Sequence, residues 1–132
     1  MSNRKIGNAF EQEFCDMLSP YGFWATCLKQ SNSGQPADVL AARNGKAYLI
    51  DCKVCSNGYF PLSRVEENQD LAMTAWKARG NGDGWFALKV GEQVYMIPHF
   101  TIMAYANNQS RLSYSEILEC GKPLEKWVAK CK

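Results

Sequence analysis

The sequence predicts an α/β fold, a mixed β-sheet with helices packed on it, in one domain spanning residues 1–132. Three observations carry this expectation. An N-terminal stretch repeats its apolar residues at helical spacing. Two pairs of β-prone runs close around the short turns Asn44-Gly45 and Gly91-Glu92. A second helical stretch lies between those pairs, so strands and helices alternate along the chain.

Each element has its own local reason. Asn3 to Leu18 reads as a helix because Ile6, Phe10, Phe14 and Met17 form one stripe, and Ser19-Pro20 with Gly22 ends it. Glu11 lies at the edge of that stripe and Glu13 on its other side; taken singly, each reads as solvated helix charge. Phe23 to Leu28 is aromatic and β-branched, a first strand. Lys29 to Pro36 is a polar loop whose small residues would let a phosphate backbone approach. Val39 to Ala42 and Ala47 to Ile50 form the first hairpin. Ser63, with Glu66 three residues later, predicts a capping box and a helix to about Arg79. Gln69, in that helix, reads in isolation as a surface residue. Gly80 to Gly84 is a loop. Trp85 to Val90 and Gln93 to Ile97 form the second hairpin, and Pro98 opens a short helix to about Ala106. Ser113 to Leu118 fits strand or helix. Pro123 to Lys132 predicts a terminal helix with lysines at its end.

Composition bounds the function. The chain is 46% hydrophobic and 21% charged, ordinary for a globular protein. A net charge of +2 means that any polyanion surface must come from local clustering of Lys and Arg. The six cysteines read as free thiols, since the N-terminus lacks the apolar core of a signal peptide and the aliphatic content suffices for a core. Cys52-x-x-Cys55 lacks a well-spaced second pair, and His99 is the only histidine, which weighs against zinc. The expected compartment is a reducing cytoplasm, with no membrane span and no small-molecule cofactor.

The chemistry concentrates in Gln35 to Val54. Asp38 begins the first strand of the first hairpin, and Asp51 and Lys53 end the second. Side chains alternate along a strand, so Asp51 and Lys53 share a face and Cys52 takes the other. The turn folds Asp38 back towards Asp51. Two neighbouring carboxylates call for a cation between them. Mg²⁺, held by one or two carboxylates with water and phosphate oxygens, meets that need, and Mn²⁺ is the runner-up. Asp38, Asp51 and the backbone carbonyl of Cys52 are the candidate ligands. Lys53 would orient an attacking water or stabilise the transition state of phosphodiester hydrolysis without losing its proton.

Pro36-x-Asp38, a hairpin, then Asp51-x-Lys53, following a helix that carries Glu11, resembles the PD-(D/E)xK nuclease superfamily. Gly7-Asn8-Ala9-Phe10-Glu11-Gln12-Glu13 is similar to the G-x-x-F-E-x-E helix of RecU-type Holliday junction resolvases, and archaeal resolvases carry a similar G-x-x-x-E. Tyr59-Phe60-Pro61-Leu62 with Glu67-Asn68-Gln69 is similar to the F-P-L…H-Q segment of the bacterial family. The resemblance spans residues 4 to 105. It implies a restriction-endonuclease-like core and a metal-dependent endonuclease of four-way DNA junctions. It implies further that Glu11 completes the metal site or positions water, and that Gln69 supports Lys53 or the phosphate. Three departures stand out: Asp51 where the family has Glu, Asn68 where it has His, and no long arm between the first helix and the sheet.

A junction offers two equivalent strands, so the resemblance implies a homodimer with paired sites. Arg4, Lys5, Lys29, Arg43, Lys46, Arg64, Lys77 and Arg79 are candidate backbone contacts, with Ser31 and Ser33 in the polar loop. Within that resemblance, the small size and single compact core suit a phage or mobile-element enzyme in a bacterial, archaeal or phage-infected cell. Two other readings stand beside this one: a repair or restriction endonuclease of the same fold, which lacks an identifiable base-reading element here, and an inactive nuclease fold that binds DNA. An inactive copy has no reason to keep Glu11, Asp38, Asp51 and Lys53 together.

Overall fold

The computed structural model describes residues 3–29 and 35–131, with side chains from Ile6 onward. Helix α1 (Asn3–Leu18) leads through a 3-10 turn into strand β1 (Trp24–Cys27). Strands β2 (Val39–Arg43) and β3 (Lys46–Val54) follow, then the short β4 (Phe60–Pro61), a 3-10 turn and helix α2 (Glu67–Ala78). Strands β5 (Trp85–Val90) and β6 (Gln93–Pro98) run directly into α3 (His99–Ala106). The end of the chain forms β7 (Arg111–Leu112), α4 (Tyr114–Cys120), β8 (Lys122–Pro123) and α5 (Leu124–Lys130).

Six strands form one sheet in the order β1-β2-β3-β5-β6-β8. It is mixed, as the pattern predicts: β3 and β5 are parallel, with α2 in the crossover, and the other neighbours are antiparallel. Parallel strands need such a crossover because no tight turn joins them. The first hairpin closes on Asn44 and Gly45, both at positive φ (55° and 77°), which matches the right-handed twist of its strands.

The period-2 alternation decides which layer each strand residue meets. Ile50, Cys52, Ala87, Val94 and Met96 pack on one face with Phe10, Phe14, Leu18, Leu124, Trp127 and Val128 of α1 and α5. Leu49, Phe86, Leu88, Tyr95 and Ile97 pack on the other with Met73, Ile102, Leu112 and Ile117. The sheet is therefore covered on both faces, which is why its central strands read as nearly continuous apolar runs.

Two local expectations are corrected. Ser63 does not cap the second helix. It sits inside the 3-10 turn Leu62–Arg64, and Val65 is extended (ψ 114°), so the helix starts later, capped at Glu66. The β-branched Val65 interrupts the turn. Ser113 to Leu118 resolves as helix α4, because Ser113 accepts a hydrogen bond from the Glu116 amide and Glu116 accepts one from the Ser113 amide.

Candidate active site

The hairpin register brings the acids together. Val39 pairs with Ile50, and the Asp38 amide donates to the Ile50 carbonyl at 3.1 Å, which sets Asp38 across from Asp51. One oxygen of the Asp38 carboxylate accepts from the Cys52 amide at 2.7 Å; the other accepts from the Gln35 side-chain amide at 2.6 Å. Asp51 is fully buried. Its Oδ1 accepts from Gln69 Nε2 at 2.9 Å, and its Oδ2, which has no hydrogen-bond partner of regular geometry, lies 3.1 Å from the Lys53 ammonium. Strand alternation thus does what the spacing predicts: Asp51 and Lys53 meet on one face and Cys52 enters the opposite core.

The electrostatics are those of crowded acids. Burial pushes the Asp51 carboxyl well above its usual range, the neighbouring Asp38 carboxylate raises it further, and Lys53 pulls it part of the way back. Glu11, half-buried on α1, is pushed up to about 8, first by burial, then by a hydrogen bond to Asp38 and by its charge, against the pull of Lys53. Glu11 therefore belongs to the cluster, whereas Glu13 reaches away to pair with Lys89 at 2.8 Å. Burial and the neighbouring acids also raise the Cys52 thiol, so its sulfur stays protonated.

Gln69 is not a surface residue, and it does not contact Lys53. It is buried at the first turn of α2, where its Oε1 accepts from the Glu66 amide at 3.1 Å while its Nε2 holds Asp51. Its neighbour Asn68 donates to the Gln35 carbonyl at 2.7 Å, and Gln35 in turn holds Asp38. Adjacent residues of one helix start thus brace both aspartates. Sequence reasoning missed Gln35 and treated Asn68 only as a departure. The available signal was the closeness of Gln35 to Asp38 and of Asn68 to Gln69.

The basic candidates divide. Arg64 and Lys29 are exposed; Arg64 donates from one nitrogen to the Val54 carbonyl at 2.7 Å and lines an open cleft of about 360 Å³ beside the cluster, with Gly7, Cys52, Ser56 and Tyr59. Arg43 is not free for phosphate: it donates to the carbonyls of Tyr21, Val128 and Cys131 and lies over the Phe23 ring. Lys77 pairs with Asp83 at 2.7 Å, Arg79 bonds the Ala75 carbonyl, and Lys46 starts β3 at the far end from Asp51. The side chains of Arg4 and Lys5, and all of Ser31 and Ser33, lie outside the described residues.

The donor set fits a hard divalent cation. It offers two aspartates and the nearby Glu11, all oxygen donors, and a buried Asp51 oxygen lacking a regular hydrogen bond. Among the described residues no three acids or other ligands close into a ready-made cage. That arrangement matches a cation that keeps several waters and takes only one or two carboxylates.

A family model described as archaeal Holliday junction resolvase matches residues 1–131. A search of curated proteins found no significant match. Among solved structures, the Archaeoglobus fulgidus Hjc, a Holliday junction resolvase from an archaeal hyperthermophile, superposes with a TM-score of 0.72 at 14% identity. The match covers 92% of this chain and 99% of that one.

Proposed function

Because the chain belongs to the archaeal Holliday junction resolvase family, a family of endonucleases that resolve four-way DNA junctions, we propose that it cuts by metal-dependent hydrolysis at the Glu11, Asp38, Asp51 and Lys53 cluster. The observation that carries this reading is the meeting of Asp38, Asp51 and Lys53 at one end of the hairpin, with Gln69 bonded to Asp51.

Asp38, Asp51 and the Cys52 carbonyl would hold Mg²⁺ or Mn²⁺, with Glu11 completing the set. Such an ion supplies positive charge to the phosphodiester and a more acidic bound water. The protein does the rest. The Cys52 amide and Gln35 fix the direction of Asp38, and Gln69 fixes that of Asp51, which limits reorganisation during reaction. Lys53, its ammonium 3.1 Å from Asp51, would orient the attacking water or stabilise charge on the phosphodiester in the transition state. Glu11 would complete the metal site or position the water. Lys29 and Arg64, together with the sequence candidates Arg4, Lys5, Ser31 and Ser33, would hold the backbone without reading sequence. Two copies in a symmetric homodimer would present paired sites to the equivalent strands of a junction.

The test is cleavage of a synthetic immobile four-way junction with Mg²⁺, with linear duplex, single strand and flap as controls. Symmetric paired nicks in the junction alone are expected. Asp51→Asn should abolish cutting and retain junction binding; a variant that cuts at the wild-type rate would refute the site. Equal cutting of every control would refute junction selectivity, and sedimentation as a monomer bound to the junction would refute the dimer.

A further inference from the structure

The last quarter of the chain contributes nothing to the acid cluster, yet it completes a second concavity at the opposite end of the sheet. Strand β3 spans both places. Lys46 is its first residue and Asp51 lies five residues on, about 17 Å away at strand spacing. There a cavity of about 200 Å³ is walled by Tyr48, Trp85 and Trp127 and rimmed by Lys46, Lys122 and Lys130.

Three features of this cavity point to an anionic, flat-ringed ligand. First, its charge is uncompensated: among the described residues no carboxylate pairs with the three rim lysines. Crowding by Lys130, and to a lesser degree by Lys126, makes the Lys122 ammonium release its proton more readily than usual. Second, its wall is aromatic. The rings of Tyr48 and Trp85 each meet Trp127 edge-on, at 5.3 and 5.6 Å between centroids, and so form a rigid platform. Third, the indole N–H of Trp127 is buried without an acceptor among the described residues.

We propose that this cavity is a second DNA subsite, taking one nucleotide of a single strand with its base against the Tyr48–Trp85 wall and its phosphates on Lys46, Lys122 and Lys130. Basic rims around aromatic platforms hold single strands in this way, tolerant of sequence because every base has a flat face. A strand fits better than a free nucleotide, because the lysines are spread around the rim and the Trp127 N–H, a single donor, does not distinguish one base from another. The proposal rests on the nuclease reading, and it gives the C-terminal segment the task of holding a strand away from the cutting centre.

The test is lysine footprinting in EDTA, so that no cutting occurs. The protein is acetylated with and without a short oligothymidylate, and each lysine is read by mass spectrometry. Slowing of at least several-fold at Lys46, Lys122 and Lys130 is expected. Thymidine monophosphate and inorganic phosphate at the same phosphate concentration should protect weakly. The double variant K122E/K130E, on exposed positions, should lose at least tenfold in oligothymidylate affinity and keep the wild-type circular dichroism. The charge-matched control K89E/R111E, at positions on neither this rim nor the candidate backbone contacts, should lose less than twofold. Unchanged acetylation, or equal losses in both double variants, overturns the subsite. Protection by the monophosphate equal to that by the oligomer overturns the strand assignment. Junction cutting is scored separately: wild-type protein that cuts junctions but shows no protection fails only here, and protein that is protected but cuts nothing fails only as a nuclease.

Discussion

Gln69 joins helix and acid cluster with a single amide. Its oxygen takes the N-terminal amide at Glu66 and its nitrogen holds Asp51. Gln69→Glu keeps the acceptor for the helix and replaces the donor by a carboxylate facing Asp51. Junction cleavage should fall by on the order of 10–100-fold, and the melting temperature should fall as well, because a second carboxyl is then buried against Asp51 without a donor between them. Steady-state cleavage and a melting curve check both halves. Glu11 and Asp51 give the second prediction. Their folded carboxyls bind protons more tightly than in the unfolded chain, where Glu titrates near 4.5. A raised folded pKa contributes stability that is fully present below the unfolded value and is lost as pH rises through the folded one. Metal-free protein should therefore melt at progressively lower temperature between about pH 4.5 and 8. Mg²⁺ should raise the melting temperature more at pH 8 than at pH 5.5, because deprotonated carboxylates bind it. Glu11→Gln should flatten the pH dependence; an unchanged slope would remove Glu11 from the cluster.

At the scale of elements, helix α2 and strand β5 meet at Gly84. A Cβ there would stand 2.5 Å from the buried Met73 side chain, while the Gly84 carbonyl accepts from the His99 amide at 2.8 Å. Gly84→Ala is expected to destabilise the fold by about 1–3 kcal/mol through this overpacking, read by denaturant titration. The same elements show what was legible beforehand. The first hairpin and its register followed from Asn44-Gly45 between β-prone runs, and with the register came the Asp38–Asp51 pairing. The start of α2 did not follow. Ser63 and Glu66 match a capping box as well as Glu66 and Gln69 do, and only the packing of Leu62 and the extended Val65 decide between them. Gln69 looked like surface for the same reason: nothing local says that a helix start is aimed at a carboxylate 18 residues earlier.

For the whole molecule, the C-terminal segment is part of the core. Trp127 stacks on Phe23 at 6.0 Å between centroids, touches Tyr48 and Trp85, and is 2% exposed. Arg43 ties the end of α5 to the first hairpin through the Val128 and Cys131 carbonyls. Trp127→Ala should cost about 3–5 kcal/mol. A chain ending at Ala106 should not fold, since it lacks that plug and the sixth strand; cooperative melting of such a chain would refute this. The described residues contain no helix long and apolar enough to cross a membrane.

The sequence by itself determined the layers, the hairpin that pairs Asp38 with Asp51, and the shared face of Asp51 and Lys53. These follow from periods of two and 3.6 residues and from one turn, all set within a few residues of chain. Only the tertiary structure decided that Glu11 comes close enough to Asp38 for the two acids to perturb one another, that Asn68 and Gln69 brace the two aspartates, that Arg43 holds the terminal helix rather than phosphate, and that lysines of the first hairpin and of the C-terminal segment surround one aromatic cavity. Those contacts join residues 18 to 88 positions apart, and no local pattern records which distant side chains the packing of helices on a sheet will bring face to face.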